Sequence, residues 1–466
     1  MKPLKTRMSQ AVLTFAATSA LAISSTAVAV ADETPGSPDP DASGSVLSGE
    51  SVLPGVDVPP FSGESNADGS DPFYLPPENL PSETGEVLRT QDAPQLLNLA
   101  SDGGPGSAEK ILYNTVNEHD EPVAASGVVL KPTGKWQGKG PAPTIVATPG
   151  TRGAGDICAP SRSSNQLFGF DDGNGAVNLN YEYPFHAAAS AMGMNVIVVD
   201  LIGLGTPGQH TYVNHLEEGT ATLDGARAGL TQLGLPQDSP LGFFGYSQGG
   251  GASAAAAERA QDYAPELNVK GTFAGAPPAD LTEVVDYVDD HAITGVIGFA
   301  LNGALARHPE LAGLQDEYFN EKGKRFMEDT KDRCIGDVVG RWAFTDTRTM
   351  TKSGKSFGEI AREDERLQEV LESYKLANRY KDLNAPMLVV NGKNDDTIPW
   401  QQARDAADRY CEAGGDVQFN TDPLPSVLPG SVINHAVPML TQAGGAFNYL
   451  VDRFNDKPAP SNCGEF

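Results

Sequence analysis

A serine flanked by glycines follows an apolar run in the middle of the chain. Residues 245–249 read Gly-Tyr-Ser-Gln-Gly, and an Ala-rich segment follows at 251–260. A strand, a tight turn and a small-residue helix in this order predict a nucleophile elbow, which exposes its serine hydroxyl at the tip of a central strand. A side chain at Gly245 or Gly249 would collide with a neighbouring strand or helix. The pattern therefore predicts that Ser247 is a nucleophile.

The base that such a serine needs is predicted from the order of residues along the chain. A serine hydroxyl is activated by a base within hydrogen-bond reach, and a carboxylate orients that base. In a sheet with this elbow, the acid and then the histidine follow the serine. Of the seven histidines, only His435 lies beyond the strand predicted at 387–391. It is placed in a loop before a closing helix that begins at about Pro438, and we predict that it is the base rather than a surface histidine.

The acid is expected in the polar turn that follows strand 387–391. This turn contains Asp395 and Asp396. Either carboxylate could face His435, while the other points to solvent or caps the helix predicted to begin at residue 400. The residues of the turn leave both aspartates open as the acid.

An oxyanion formed during ester or amide cleavage needs two preorganised N–H donors. The first predicted donor is the backbone N–H of Gln248, which follows the nucleophile. The second should come from the loop after the strand predicted at 143–148, and this loop reads Pro-Gly-Thr-Arg-Gly over residues 149–153. We predict that Thr151 supplies it.

Strands alternate with helices over most of the chain after residue 77. A hairpin is predicted at 110–116 and 123–131, and the further elements are strands at 143–148, 194–200, 241–246, 269–273, 387–391 and 417–420 with helices at 216–233, 248–263, 400–412 and 438–454. This alternation predicts an α/β fold with a mostly parallel, doubly wound sheet.

The alternation stops over about 277–385, where the pattern is helical with little strand. An insertion of this length between two strands predicts a helical cap on the 77–466 domain. The most apolar part of the cap is 292–306, which is too short to span a membrane. It predicts either a core-facing helix or a wall for a fatty-acyl chain.

The composition is typical of a soluble globular protein, with 39% hydrophobic and 20% charged residues among 466. Lysine and arginine number 33 against 61 acidic residues, which gives a formal net charge of -28. This charge repels phosphate backbones at long range and argues against a nucleic-acid partner.

The N-terminal segment predicts export. Residues 1–31 have a basic start, an apolar middle and the exit Ala29-Val30-Ala31, as in a secretory signal peptide cleaved after Ala31, with Ala29 as the alternative. No transmembrane anchor is predicted after cleavage. Residues 32–76 are rich in Pro, Ser, Gly and Asp, which predicts a disordered acidic spacer.

Four cysteines follow the predicted signal peptide, at Cys158, Cys334, Cys411 and Cys463. In an exported protein they fit two disulfides, and three pairings are possible. None has the spacing of a zinc site, so no structural metal is predicted.

Two short motifs could suggest a ligand elsewhere. Residues 39–50 match a calcium-binding loop, but no helices are predicted on either side of it. Residues 203–208 read Gly-Leu-Gly-Thr-Pro-Gly, but Pro207 interrupts this dinucleotide-binding pattern and no helix follows it. We therefore predict neither a metal nor a cofactor.

Residues outside the elbow carry a resemblance to a known family. They are Cys158-Ala159-Pro160-Ser161, Glu217-Glu218-Gly219, Leu223-Asp224-Gly225 with Arg227-Ala228, Tyr263-Ala264-Pro265-Glu266-Leu267-Asn268, Cys334, Asp395 with Ile398-Pro399, Cys411 and Cys463-Gly464. With them the chain resembles the secretory lipase family of the yeast lipase A type.

The resemblance implies an α/β-hydrolase core with a helical lid and the hydrolysis of long-chain carboxylic esters such as triacylglycerols. It implies that the nucleophile is Ser247, the acid Asp395 and the base His435. It also implies disulfides between Cys158 and Cys334 and between Cys411 and Cys463. The sequence departs from the family at 151–152, where yeast members have an acidic residue in place of Thr-Arg.

The sequence thus leads to the hypothesis of a secreted triacylglycerol lipase (EC 3.1.1.-, in particular 3.1.1.3) that acts on a lipid ester at an oil-water interface. Two rival enzymes would use the same three residues, namely a short-chain carboxylesterase and an acyltransferase of the cell envelope. A non-catalytic surface-binding protein is the rival from another class.

Overall fold

The computed structural model describes residues 71–93, 106–163, 168–170, 177–380 and 382–466. The predicted signal peptide, most of the predicted spacer and the calcium-loop-like segment 39–50 lie outside the described residues. Phe73–Phe466 form one compact unit. Phe73 and Tyr74 at its start are buried.

A mixed sheet lies at the centre of this unit. Among the described residues it has nine strands in the order β1-β2-β3-β7-β4-β8-β9-β10-β11. Strands β1, β2 and β3 pair antiparallel, and β3 pairs antiparallel with β7. The other neighbours in the sheet, from β7 through β4, β8, β9 and β10 to β11, are parallel. The predicted α/β fold with a mostly parallel sheet is confirmed. The bounds of the strands are β1 Val87–Asp92, β2 Ala108–Val116, β3 Pro122–Leu130, β4 Thr144–Thr148, β5 Phe168–Phe170, β6 Val177–Leu179, β7 Asn195–Val199, β8 Pro240–Tyr246, β9 Asn268–Gly275, β10 Met387–Gly392 and β11 Val417–Asp422.

Strand β1 and the small β5-β6 hairpin were not predicted. Strand β1 lies at the edge of the sheet and has the sequence Val-Leu-Arg-Thr-Gln-Asp, with four exposed residues. An edge strand that carries several polar side chains in succession lacks the apolar pattern by which buried strands are recognised.

Helices cover both faces of the sheet. Side chains alternate between the faces along each strand, so Phe243 of β8 packs in one hydrophobic cluster and Phe244 in the other. The bounds of the helices are α1 Tyr183–Ala191, α2 His215–Gln232, α3 Gln248–Tyr263, α4 Leu281–Val288, α5 Val296–Arg307, α6 Leu314–Tyr318, α7 Glu321–Thr330, α8 Ile335–Trp342, α9 Phe357–Glu363, α10 Glu365–Tyr374, α11 Trp400–Glu412 and α12 Ile433–Phe454. Helices α2 and α3 pack on the Phe243 side, and α12 packs on the other side.

Helices α4 to α10 lie between β9 and β10 and have a hydrophobic cluster of their own. Helix α5 buries Ile297 and Phe299 in this cluster. Leu301 and Leu305 of the same helix are only half-buried. Helix α5 therefore has the core-facing side that the sequence predicts, and its use as a wall for an acyl chain stays a prediction. Among the described residues, no helix combines the length and apolarity needed to cross a membrane.

Two disulfides join distant parts of the chain. Cys158 is bonded to Cys334 at 2.08 Å, and Cys411 to Cys463 at 2.00 Å. The first links the loop after β4 to the start of α8. The second links α11 to the C-terminal segment. These are the pairs that the family resemblance implies.

Candidate active site

Ser247 lies between the end of β8 and the start of α3. Its backbone has φ 59° and ψ -125°, a conformation that non-glycine residues rarely adopt and that the surrounding structure must hold in place. Its N–H donates to the carbonyl of Gly275 at 2.8 Å, which fixes the turn to the end of β9. The side chain is half-buried. The geometry is that of the predicted elbow.

The glycines on either side of the turn are sterically required. A Cβ at Gly245 would lie 2.1 Å from the carbonyl oxygen of Gly249 and 2.2 Å from Thr148 Oγ1. A Cβ at Gly249 would lie 2.2 Å from the carbonyl oxygen of Thr148. Because the obstacle is largely backbone, it cannot give way by a rotamer change. Strand β4 and helix α3 therefore approach each other only because both positions lack a side chain.

Asp395 and His435 are in direct contact. His435 Nδ1 lies 2.8 Å from Asp395 Oδ2. The other carboxylate oxygen accepts the N–H groups of Thr397 and Ile398 at 2.9 and 2.8 Å. Because a carboxylate accepts, Nδ1 carries the hydrogen of the neutral ring, and Nε2 is left as the acceptor. Both side chains are buried, so the pair is rigidly held.

The histidine lies in a different element from the one predicted. Helix α12 begins at Ile433, so His435 is in its first turn and not in a loop before a helix that starts at Pro438. Proline favours the first helical turn, so Pro438 in the sequence predicts a helix start. In the structure it lies inside α12, five positions after Ile433.

Asp396 has a role that the sequence did not predict. It neither points to solvent nor caps α11; its carboxylate caps the start of α12 instead. Its Oδ2 accepts the N–H groups of Ser431 and Val432, both at 3.1 Å, and its Oδ1 accepts that of His435 at 3.2 Å. Burial and the neighbouring Asp395 raise the pKa of Asp396 above its ordinary value. The two adjacent aspartates thus hold the same histidine, one by the ring and one by the backbone.

Tyr246 joins the histidine to the elbow. Its hydroxyl donates to the carbonyl of His435 at 3.0 Å, and the two rings lie 5.2 Å apart. Tyr246 directly precedes Ser247, so this contact brings the start of α12 beside the elbow. The structure therefore brings the predicted acid, base and nucleophile to one edge of the sheet, where the parallel strands end.

The two predicted oxyanion donors are each held by buried side chains. Thr151 Oγ1 lies 2.7 Å from the hydroxyl of Tyr212. The side-chain amide of Gln248 donates to Glu218 at 2.9 Å. Neither Tyr212 nor Glu218 was assigned a role from the sequence. Glu218 belongs to a stretch that carries the family resemblance, and this was the one available signal.

The loop that contains Thr151 is clamped by a buried ion pair. Glu182 accepts the N–H of Gly150 at 3.0 Å and lies 3.3 Å from the guanidinium of Arg152. Burial raises the pKa of Glu182, whereas Arg152 opposes the shift. The charge of Arg152 therefore helps to hold the loop through Glu182.

The glycine pattern at 203–208 forms a loop. Gly203, Gly205 and Gly208 all have positive φ, and the next helix begins only at His215. The loop interpretation of this segment agrees with the structure. Among the residues that the structure describes, no group of three or more His, Cys, Asp or Glu side chains could hold a metal ion.

Comparisons with known proteins identify the family of the chain. The model of the secretory lipase family matches residues 173–462. A relative in Malassezia globosa, named secreted triacylglycerol lipase LIP4, is 27% identical over 85% of this chain and 83% of its own length. A relative in Mycobacterium tuberculosis, named probable inactive lipase MT1628, is 28% identical over 83% of this chain and 82% of its own.

Among solved structures, Candida antarctica lipase A in its closed state superposes with a TM-score of 0.71 at 22% identity, covering 85% of this chain and 88% of the lipase. This likeness confirms the α/β-hydrolase fold that the resemblance implies. The family match spans more than half of the chain. The chain belongs to the secretory lipase family.

Proposed function

We propose that this protein is a secreted triacylglycerol lipase with Ser247 as nucleophile, His435 as base and Asp395 as acid. The observation that carries the proposal is the 2.8 Å contact between His435 Nδ1 and Asp395 Oδ2 beside a strained elbow. An imidazole held in one tautomer by a buried carboxylate is the arrangement that activates a serine hydroxyl. The membership of the secretory lipase family supports the same assignment.

The reaction proceeds in two halves. His435 Nε2 takes the proton of Ser247 Oγ as the oxygen attacks the ester carbonyl, and Asp395 stabilises the imidazolium that forms. The N–H groups of Gln248 and Thr151 receive the oxyanion. The imidazolium then protonates the departing alcohol and leaves an acyl-enzyme. A water molecule, deprotonated by the same histidine, attacks the acyl group and releases the fatty acid.

The substrate class and the export of the protein rest on the relatives and on the N-terminal sequence. The Malassezia globosa relative is named a secreted triacylglycerol lipase. Residues 1–31 have the pattern of a secretory signal peptide. The acylglycerol would bind between the elbow and the cap, whose helix α5 has half-buried leucines that an acyl chain could contact. A short-chain carboxylesterase or an envelope acyltransferase would use the same three side chains.

The M. tuberculosis relative, named a probable inactive lipase, favours one further candidate, a protein of this fold without catalysis. A fluorophosphonate probe separates the two cases, because it reacts only with an activated serine. The proposed enzyme is labelled at Ser247, and the label is lost in Ser247→Ala. An unlabelled wild-type protein would mean that the elbow does no chemistry.

Hydrolysis of esters of increasing acyl length, with and without an emulsion, tests the substrate class. A triacylglycerol lipase hydrolyses long-chain esters at the emulsion interface, whereas a carboxylesterase prefers soluble short-chain esters. Ser247→Ala should lower kcat on the order of a million-fold. Ser373→Ala is the matched control, since the hydroxyl of Ser373 in the cap only donates to the carbonyl of Val370 at 2.7 Å. Addition of a sugar or glycerol acceptor would reveal acyl transfer in place of hydrolysis.

A further inference from the structure

The two proposed oxyanion donors come from parts of the chain that are far apart in sequence. Thr151 follows β4, and Gln248 opens α3. An oxyanion hole functions only if both N–H groups are aimed at the same oxygen atom before the reaction begins. Some part of the structure must therefore fix these two residues with respect to each other.

One short segment contacts both of them. We name residues 210–213 together with Glu218 the oxyanion bracket. On one side, the hydroxyl of Tyr212 lies 2.7 Å from Thr151 Oγ1. On the other side, Gln248 Nε2 lies 3.0 Å from His210 Nε2 and 2.9 Å from Glu218 Oε1.

The hydrogen bonds of Gln248 have a defined direction. His210 Nδ1 lies 2.7 Å from the carbonyl oxygen of Ile202, which can only accept, so Nδ1 carries the ring hydrogen. Burial lowers the pKa of His210 to about 4, so the ring is neutral and its Nε2 accepts. The two hydrogens of the Gln248 amide therefore go to His210 and Glu218, one each. These two hydrogen bonds fix the side chain of Gln248, the residue whose backbone N–H is the proposed oxyanion donor.

The carboxyl group of Glu218 also holds the segment that contains Tyr212. Glu218 Oε1 also accepts the N–H of Val213 at 3.1 Å. Val213 has φ 57°, a left-handed conformation that is strained for a β-branched residue and persists only where its surroundings impose it. Val213 is bonded to Tyr212 along the chain. One carboxyl oxygen of Glu218 therefore fixes Gln248 directly and Tyr212 through its neighbour. The ring of Tyr212 packs edge-on against Phe299 of α5 at 5.8 Å, which limits its movement further.

We infer that Tyr212 and Glu218 are positioning residues for the two oxyanion donors. The inference rests on the proposed function, since it assumes that Thr151 and Gln248 bind an oxyanion. Neither residue is proposed to touch the substrate or the reacting atoms. Loss of either side chain should therefore reduce the stabilisation of the transition state, and so lower kcat, while substrate binding stays unchanged.

The test measures kcat and KM on a triacylglycerol emulsion, together with the thermal midpoint. Tyr212→Phe and Glu218→Leu should each lower kcat by about tenfold to a hundredfold with KM unchanged, less than the loss of a whole donor. Glu218→Gln keeps the accepting oxygen and should keep kcat close to the wild-type value. The matched controls are Tyr263→Phe, whose hydroxyl donates to buried Asp224 at 2.7 Å, and Glu258→Gln, a buried glutamate bonded to Tyr410; both lie outside the bracket.

A double-mutant cycle tests the contact between Tyr212 and Thr151 itself. Thr151→Val keeps the backbone N–H and removes only the hydroxyl. If the 2.7 Å contact positions the donor, this variant loses as much kcat as Tyr212→Phe, and the double variant loses no more than either. Thr151→Ser keeps the hydroxyl and should restore kcat. Should Tyr212→Phe fail to fold, Thr151→Val and Glu218→Leu decide the matter.

An unchanged kcat in Thr151→Val and Glu218→Leu overturns the inference, and so does an effect on KM alone or a loss that is fully additive in the double variant. These results remain distinct from a failure of the proposed function. If the wild-type protein hydrolyses no ester and its Ser247 is not labelled by a fluorophosphonate, the lipase assignment fails. If the wild type is active and labelled, only the role of the bracket is in question.

Discussion

The two halves of the candidate site are held in opposite ways. In the acid-base half, Asp395 accepts N–H groups from residues two and three positions away, and Asp396 next to it caps the start of α12. In the oxyanion half, the contact of Thr151 is with a residue 61 positions away, and that of Gln248 with one 30 positions away. The acid is thus supported by the turn in which it lies, whereas each oxyanion donor is supported by a side chain from another element.

This difference explains which residues can be found from a sequence. A turn that supports its own carboxylate is visible as a polar run after a strand, and this run limited the acid to Asp395 or Asp396. The base, His435, was predicted from the order of residues along the chain. A hydroxyl that supports a loop from another element leaves no local pattern. The difference also predicts how the halves fail: the acid-base half should fail at single residues, whereas the oxyanion half should fail gradually as its supports are removed.

The largest effect is expected in the acid-base half. Asp395→Asn leaves the size of the side chain unchanged but can present a donor to His435 Nδ1, which favours the wrong tautomer. We expect kcat to fall on the order of ten-thousand-fold, because His435 Nε2 then carries the hydrogen and cannot take the serine proton. Ester hydrolysis at saturating substrate measures this loss.

Asp396→Asn is the matched control, since it changes the adjacent carboxylate that holds only the backbone of the same histidine. It should lower kcat far less and should mainly reduce the thermal midpoint. Equal losses in the two variants would contradict the assignment of Asp395 as the acid.

The second prediction concerns a substitution in the elbow that should displace one of the oxyanion donors. In Gly249→Ala the new Cβ meets the carbonyl oxygen of Thr148 at 2.2 Å and the carbonyl carbon of Pro149 at 2.9 Å. Both atoms begin the loop that leads to Thr151, so relief of the clash displaces that donor. We expect kcat to fall by about a hundredfold or more, as for loss of a donor, together with lower stability.

The downfield NMR signal of the hydrogen between His435 and Asp395 should remain in Gly249→Ala, because the acid-base half is not touched. Gly444→Ala provides the comparison, since a Cβ there meets no atom within 4 Å on helix α12. It should raise stability by about 0.5–1 kcal/mol through helix propensity and leave kcat unchanged. Loss of the NMR signal in Gly249→Ala would show that the two halves are not separable.

The two disulfides allow a third test. Cys334 forms a backbone bridge with Gly153, and Ile335 donates its N–H to the carbonyl of Arg152 at 2.8 Å, so the bond from Cys158 to Cys334 secures the cap against the Thr151 loop. The bond from Cys411 to Cys463 lies between α11 and the C-terminal segment.

Replacing either pair by serines should cost about 2–5 kcal/mol of unfolding free energy. Only loss of the bond between Cys158 and Cys334 should also lower kcat, because only that bond secures the oxyanion half. Denaturant unfolding and kcat are measured for both double variants. A fall of kcat in the variant without the bond between Cys411 and Cys463 would contradict the distinction.

The sequence predicted the fold more fully than it predicted the supports of the site. Helices α3 and α11 have the predicted bounds, 248–263 and 400–412, because each begins directly after a recognisable turn. Helix α12 begins five residues before the predicted start at Pro438, because its first turn is capped by Asp396, a residue 36 positions before Val432 that no local pattern connects with this helix. Tyr212 was missed because its partner is distant in sequence. Packing decided each miss, and packing is not encoded in a window of neighbouring residues.

The prediction with the smallest effect on activity concerns the pH dependence of stability, since Glu218→Gln should leave kcat close to the wild-type value. Burial raises the pKa of Glu218 from 4.5 to about 8, and burial likewise raises that of Glu258 to about 8. Below pH 4.5 both carboxyls are protonated in the folded and the unfolded chain. Between pH 4.5 and about 8 the unfolded chain releases these protons while the folded protein keeps them, so stability falls as pH rises and then levels off.

Each of the variants Glu218→Gln and Glu258→Gln should therefore flatten the decline of unfolding free energy over this interval, by an amount on the order of a few kcal/mol. Denaturant unfolding at a series of pH values measures the slope. Glu218 lies in the oxyanion bracket, whereas Glu258 is hydrogen-bonded to Tyr410 outside it. The two substitutions should nevertheless reduce the pH dependence of the unfolding free energy by similar amounts, because burial is the main cause of both raised pKa values. A slope unchanged by Glu218→Gln would show that this carboxylate is ionised in the folded protein, and the oxyanion half would then contain a buried charge.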